Sequence, residues 1–96
     1  MTTLFYALKN NSIPMLDSLI AHGVNLNQPE SNGTTPLMIA ALESEPRVVR
    51  YLVAHGADIH GRGRGGKSEV LWYARHNRSV DREKIRAILS ILQNEH

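Results

Sequence analysis

A chain of 96 residues with 42% hydrophobic content suits one domain with a modest core. It contains no cysteine, which excludes disulfides and thiolate metal sites and fits a reducing compartment. The net charge of +2 hides an imbalance: residues 1–61 carry three cations against five carboxylates, and residues 62–96 carry eight against four.

In chain order, the first predicted pair of helices takes Leu4, Phe5, Tyr6 and Ala7, then Leu16, Leu19 and Ile20 at helical spacing, with Gly23 as its stop. The next helix opens at Thr35-Pro36. Threonine accepts from an orphan backbone N–H, and proline at the first helical position gives up no bond it could have made. Leu37, Ile39, Ala40 and Ala41 make this helix short and apolar, with small residues where a neighbour packs close. Glu45-Pro46 reads as the turn into a further helix whose buried stripe is Val48, Val49, Leu52 and Val53, ended by Gly56. A glycine-rich connector runs from Asp58 to Gly65. The third pair begins near Glu69 with Val70, Leu71, Trp72, Tyr73 and Ala74. If Ile85, Ile88 and Leu89 take the places of Val49, Leu52 and Val53, its inter-helix loop has gained three residues around Asn77-Arg78-Ser79. Either Ser79 or Asp81 can cap the last helix, with Glu83 in its first turn.

These segments repeat. Leu19 to Asn27 returns 33 positions later as Leu52 to His60, four of nine residues being identical, and Gly33-Thr34-Thr35 aligns with Gly66-Lys67-Ser68. A fixed period near 33 signals a stacked array and outranks any local motif. Gly33-Thr34-Thr35-Pro36-Leu37-Met38-Ile39-Ala40-Ala41 closely resembles the opening of an ankyrin repeat, and Val48 to Ile59 resembles its second helix and exit. The flanking segments stay in phase but lose the proline, with Thr3 and Glu69 in its place.

The resemblance implies one all-α solenoid over residues 1–96, with repeats of about 1–32, 33–65 and 66–96, made of helix-turn-helix pairs joined by short β-hairpin-like fingers. The charged last helix then reads as a capping repeat with a polar outer face, and the chain as a complete small protein. The resemblance further implies contacts with a protein partner through fingers and first helices. The finger positions are Gln28, Glu30, Ser31, Asn32, Arg62 and Arg64. On the first helices they are Thr34, Met38, Leu42, Glu43, Lys67, Trp72, Arg75 and His76, all expected to be exposed.

Several motifs compete with that reading. Gly61 to Ser68 satisfies G-x-x-x-x-G-K-[ST], yet the short polar Ala57-Asp58-Ile59-His60 cannot serve as the buried parallel strand that a phosphate-cradling loop requires. The same segment is a single Arg/Gly tract with no interleaved aromatics, thin support for RNA binding. His22 and His55 occupy equivalent places before helix-ending glycines, which assigns them to capping the last carbonyls rather than to a metal. His60, His76 and His96 add no metal-ligand spacing. The serines are scattered, none in a nucleophile-elbow setting, and Glu43 and Glu45 would diverge on a helix. Phe5, Tyr6, Trp72 and Tyr73 fall at matching places in the first and third units. Core filling is the first reading for each ring, with Trp72 or Tyr73 beside Arg75 as the alternative anchor for a partner.

The expectation is a non-enzymatic, monomeric, cofactor-free binding module that blocks or tethers one partner bearing an acidic surface. Small bacterial ankyrin proteins include immunity factors that neutralise toxins, and the resemblance extends to those. The competing class is a nucleic-acid or phosphate binder using Arg62, Arg64, Lys67, Arg75 and Arg78. No apolar run approaches the roughly 20 residues that span a bilayer, and no signal-peptide pattern is present, so a cytoplasmic location is expected.

Overall fold

The computed structural model describes residues 3–28, 33–59 and 67–94, the side chains of 67–69 and 94 excepted. Within them the chain forms six helices: α1 (Thr3–Lys9), α2 (Ile13–Ala21), α3 (Pro36–Glu43), α4 (Pro46–Ala54), α5 (Lys67–Arg75) and α6 (Arg82–Asn94). The described residues contain no strand. Each odd-numbered helix folds back on the next as a hairpin, and the three hairpins stack. Helix α3 lies between α1 and α5 in one layer, while α4 packs on α6 in the other. The longest extent of 32 Å suits three hairpins set about 10 Å apart, the usual distance between packed helices. Residues 29–32 and 60–66, which hold all of the expected fingers except Gln28, lie outside the described residues.

The local signals act as their chemistry dictates. Thr35 caps α3, its hydroxyl accepting from the Met38 N–H at 3.3 Å, while the Met38 sulfur accepts from the Thr35 N–H at 3.5 Å. Pro36 and Pro46 stand in the first turns of α3 and α4. Gly23 and Gly56 follow α2 and α4 with φ of +87° and +95°, a left-handed conformation that strains any residue with a Cβ. Of the two cap candidates for α6, Asp81 does the work: its carboxylate accepts from the Lys84 N–H at 3.0 Å. Ser79 instead lies within the preceding turn, where its N–H donates to Asn77 Oδ1 at 2.7 Å.

One continuous apolar core runs through the stack. Leu8 and Leu16 from the first hairpin, Leu37, Met38, Val48, Val49 and Leu52 from the second, and Val70, Ile88 and Leu92 from the third are all fully buried or nearly so. Ala7, Ala40, Ala41 and Ala74 are also buried, and their small side chains let neighbouring helices approach closely.

Polar bonds fix the register between hairpins. Asn11, Ser44 and Asn77 are 33 residues apart and occupy equivalent loop positions. Ser44 Oγ donates to the Leu8 carbonyl at 2.7 Å, and Asn77 Nδ2 donates to the carbonyls of Ala41 and Ser44 at 2.8 and 3.0 Å. Leu8 and Ala41 are themselves one period apart, so the same stitch is made twice. Asn11, held at φ +55°, accepts from the Glu45 N–H at 2.7 Å through its side-chain oxygen. On the opposite edge Asn27 clasps the next hairpin: it donates to the Gly56 carbonyl at 3.1 Å and accepts from the Asp58 N–H at 2.7 Å. Among the described residues no buried side-chain nitrogen or oxygen lacks a partner.

Candidate functional site

The layer of first helices presents a row set by the 33-residue period. Tyr6, Ile39 and Trp72 occupy the same position of α1, α3 and α5, which pack side by side. Tyr6 and Trp72 are the two large hydrophobic side chains exposed among the described residues, at 54% and 53%, and Ile39 between them is 7% exposed. Residues three and four further along a helix lie on the same face. The next positions are therefore Lys9, Leu42 and Arg75, then Asn10, Glu43 and His76.

These two flanking rows differ in what they leave available. Asn10 Nδ2 donates to the Tyr6 carbonyl at 2.9 Å, and His76 Nδ1 lies 2.8 Å from the Trp72 carbonyl. A carbonyl can only accept, so that imidazole nitrogen carries the proton. The Glu43 carboxylate accepts from Arg78 Nη2 at 2.8 Å. Each of the three outer positions thus makes one side-chain bond within the chain. Lys9 and Arg75 are exposed and make no ion pair among the described residues, with half-buried Leu42 between them.

Two neighbouring rings pack against Trp72. One face stacks on the His76 ring, centroids 4.1 Å apart, and Tyr73 meets it edge-on at 5.3 Å. Tyr73 and Phe5 are the rings that pack against the core, while Trp72 and Tyr6 face outward. Core filling therefore fails for the latter two: α1 and α5 flank α3 at the outside of the layer, and only Ile39 of this register is covered from both sides.

Other expected contact positions sort as follows. Leu42, Glu43, Trp72, Arg75 and His76 come together on this strip. Gln28 is exposed in the segment after α2, and Thr34 is half-buried just before the cap of α3, at the far end of that helix from Leu42. Met38 is a correction: it is 0% exposed, because α3 is packed on both sides and its thioether lies over the Thr35 N–H. Glu30, Ser31, Asn32, Arg62 and Arg64, and the Lys67 side chain, lie outside the described residues, as does the phosphate-loop-like Gly61 to Ser68 apart from the start of α5. The strip also holds Tyr6, Lys9 and Asn10, which are not among the expected contact positions although the period relates them to Ile39, Leu42 and Glu43.

His22 and His55 cap as expected, their Nδ1 atoms 2.7 and 2.8 Å from the carbonyls of Ser18 and Tyr51. On the second layer, the Tyr51 hydroxyl donates to Asp17, linking α4 to α2, and its ring stacks on His55 at 4.0 Å. Burial, reinforced by the bond to Asp17 and that carboxylate's charge, pushes the Tyr51 phenol up to about 12. The described residues hold no cluster suited to a metal ion and no helix long and apolar enough to cross a membrane.

The family model described as ankyrin repeats (3 copies) matches residues 1–62. The chain is 43% identical over 58 residues to the mouse RelA-associated inhibitor, covering 60% of this chain and 7% of that protein. It is 31% identical over 91 residues to an L-asparaginase of Dirofilaria immitis, covering 92% of this chain and 15% of the enzyme, too small a share to carry an activity across. A third relative, mouse protein phosphatase 1 regulatory subunit 27, is 31% identical over 58 residues, or 60% of this chain and 38% of its own length. The chain thus spans well under half the length of these relatives. Ankyrin repeats are in general non-enzymatic interaction modules, and two of these names describe an inhibitor and a regulatory subunit. With its stacked hairpins, its period and this match over residues 1–62, the chain belongs to the ankyrin-repeat family.

Proposed function

We propose that this chain binds a protein partner across the strip formed by α1, α3 and α5, and acts by covering a surface its partner needs. The observation that carries the reading is the placement of Tyr6 and Trp72: the two large apolar side chains exposed among the described residues share one register of the stack. Rings of this kind bury much area for little lost freedom, and Trp, Tyr and Arg supply most of the energy at protein interfaces. Lys9 and Arg75, which make no ion pair among the described residues, favour a partner with an acidic contact patch, which they would steer into place and orient. The finger residues Gln28, Glu30, Ser31, Asn32, Arg62 and Arg64 are proposed as further partner contacts, all but Gln28 lying outside the described residues. An inhibitory mode, such as that of an immunity protein neutralising a toxin, is in keeping with the inhibitor and regulatory subunit among the relatives.

The test is affinity capture by the tagged full chain from a lysate of its source cells, compared with Trp72→Ala and Arg75→Glu. Arg82→Glu, an exposed change at the start of α6, serves as the charge control. Both strip variants should lose the partner that the parent and the control retain. Undiminished recovery by both would remove this surface from consideration.

A further inference from the structure

We infer that the strip accepts an extended peptide segment in which an apolar stretch separates two carboxylates about six residues apart. The inference rests on the protein-binding reading above and specifies the chemistry of the partner. Two parallel lines cross the three helices: Tyr6, Ile39 and Trp72, and beside them Lys9, Leu42 and Arg75. The first is apolar throughout. The second runs cation, aliphatic, cation, and neither cation has an ion-pair partner among the described residues.

Dimensions select the conformation of the occupant. Three residues of helix rise about 4.5 Å, so the two lines are close together, whereas three packed helices at about 10 Å spacing make each line about 20 Å long. A narrow strip of that length fits an extended chain, which covers 20 Å in about six residues at about 3.3 Å each. A helical ligand about 10 Å across would overlap the third line, Asn10, Glu43 and His76, each of which already spends one side-chain polar atom on a bond within the chain. Extended side chains alternate in direction, so residues 1, 3, 5 and 7 of the ligand would face the strip. Acids at 1 and 7 would meet Lys9 and Arg75, and apolar residues at 3 and 5 would lie over Ile39 and Leu42 between the rings.

The charge pattern argues for acids at the ends and against them in the middle. Glu43 stands beside the centre of the strip, and although Arg78 holds it at 2.8 Å it still disfavours a second carboxylate nearby. The same carboxylate disfavours a phosphate backbone running the length of the strip. Single-stranded RNA would also need a stacking platform at each step, yet the central position is the aliphatic Ile39, and one face of Trp72 is covered by His76. A peptide is therefore preferred over a nucleic acid.

Trp72 is the single tryptophan of the chain, so its emission reports occupancy of the strip directly. The full-length protein would be used to select from a displayed library of random twelve-residue peptides. The synthetic winner would then be titrated by Trp72 fluorescence alongside a twelve-nucleotide oligouridine. Winners should carry two acids about six residues apart, with apolar residues between. Tyr6→Ala, Lys9→Glu and Arg75→Glu should each weaken binding at least about fivefold, the loss typical of an interface anchor, without lowering the melting temperature. Trp72→Ala, followed by calorimetry, should do the same. Basic or acid-free winners, unaltered binding by all four variants, or tighter binding of oligouridine would overturn the inference. An empty selection would overturn it as well. If Trp72→Ala nonetheless abolished capture of a cellular partner, the protein-binding reading would survive with a folded partner surface in place of the extended segment.

Discussion

Helix α3 buries six of its eight residues, Pro36 to Ala41, whereas α6 buries only Ile88 and Leu92 of its described side chains. Both are helices of one repeat design, and the difference comes from their neighbours. Helix α3 has α1 on one side, α5 on the other and α4 behind it, while α6 packs on α4 and α5 and turns Arg82, Glu83, Lys84 and Arg86 to solvent. Burial in a stack therefore follows a residue's rank in the array as much as its own hydrophobicity. The row Tyr6, Ile39, Trp72 states the same rule within a single register, where only the central member is covered.

Core truncation should separate the central hairpin from the last most sharply. Leu52→Ala, at a fully buried site of α4, should cost about 2–5 kcal/mol, enough to unfold much of so small a domain. Ile91→Ala, on the partly covered side of α6, should cost clearly less in the same denaturant titration. Equal losses would dissolve the contrast. A smaller effect is expected from Asn77→Ala, which strips the carbonyls of Ala41 and Ser44 and the N–H groups of Ser79 and Val80 of their partner; about 1–3 kcal/mol should be lost. Thr35→Ala removes one helix cap and should cost about 1 kcal/mol, read from the same midpoint shift.

The smallest effect concerns the second layer and appears only in alkali. The folded phenol of Tyr51 is raised from 10.0 to about 12, so the fold favours its protonated form. The stabilisation from this group is complete below pH 10 and is lost as pH rises from 10 towards 12. Comparing parent and Tyr51→Phe at a series of pH values should show the advantage of the parent narrowing across that window, a change the variant does not undergo. A constant difference across it would mean that Asp17 does not hold the phenol.

Much of the fold was legible because punctuation is local. Thr35-Pro36, Pro46, Gly23 and Gly56 act within a turn of where they stand, and the period joined those pieces into a stack. The added loop of the third unit was also visible, but not the choice between Ser79 and Asp81, since that depends on which backbone Asn77 draws in. The site was half legible. Met38 is expected on the exposed face with Thr34, Leu42 and Glu43, yet its equivalents Phe5 and Leu71 are core-packing, while those of Ile39 are Tyr6 and Trp72. Comparing whole registers rather than single helices would have reversed that assignment and drawn in Tyr6 and Lys9. The commitments of Glu43 to Arg78 and of His76 to Trp72 join loop and ring partners through packing, and no spacing rule announces them.

The stitch from Ser44 to Leu8, remade from Asn77 to Ala41, has a practical corollary. Each hairpin carries the donor for its predecessor and the acceptor for its successor, so the molecule can in principle be lengthened. Duplicating residues 33–65 in tandem would supply a fresh serine hydroxyl facing the original Ala41 carbonyl and a fresh alanine carbonyl for Asn77. Such a four-hairpin construction would add a second Ile39 and Leu42 to the strip and widen the gap between Lys9 and Arg75 by one helix spacing.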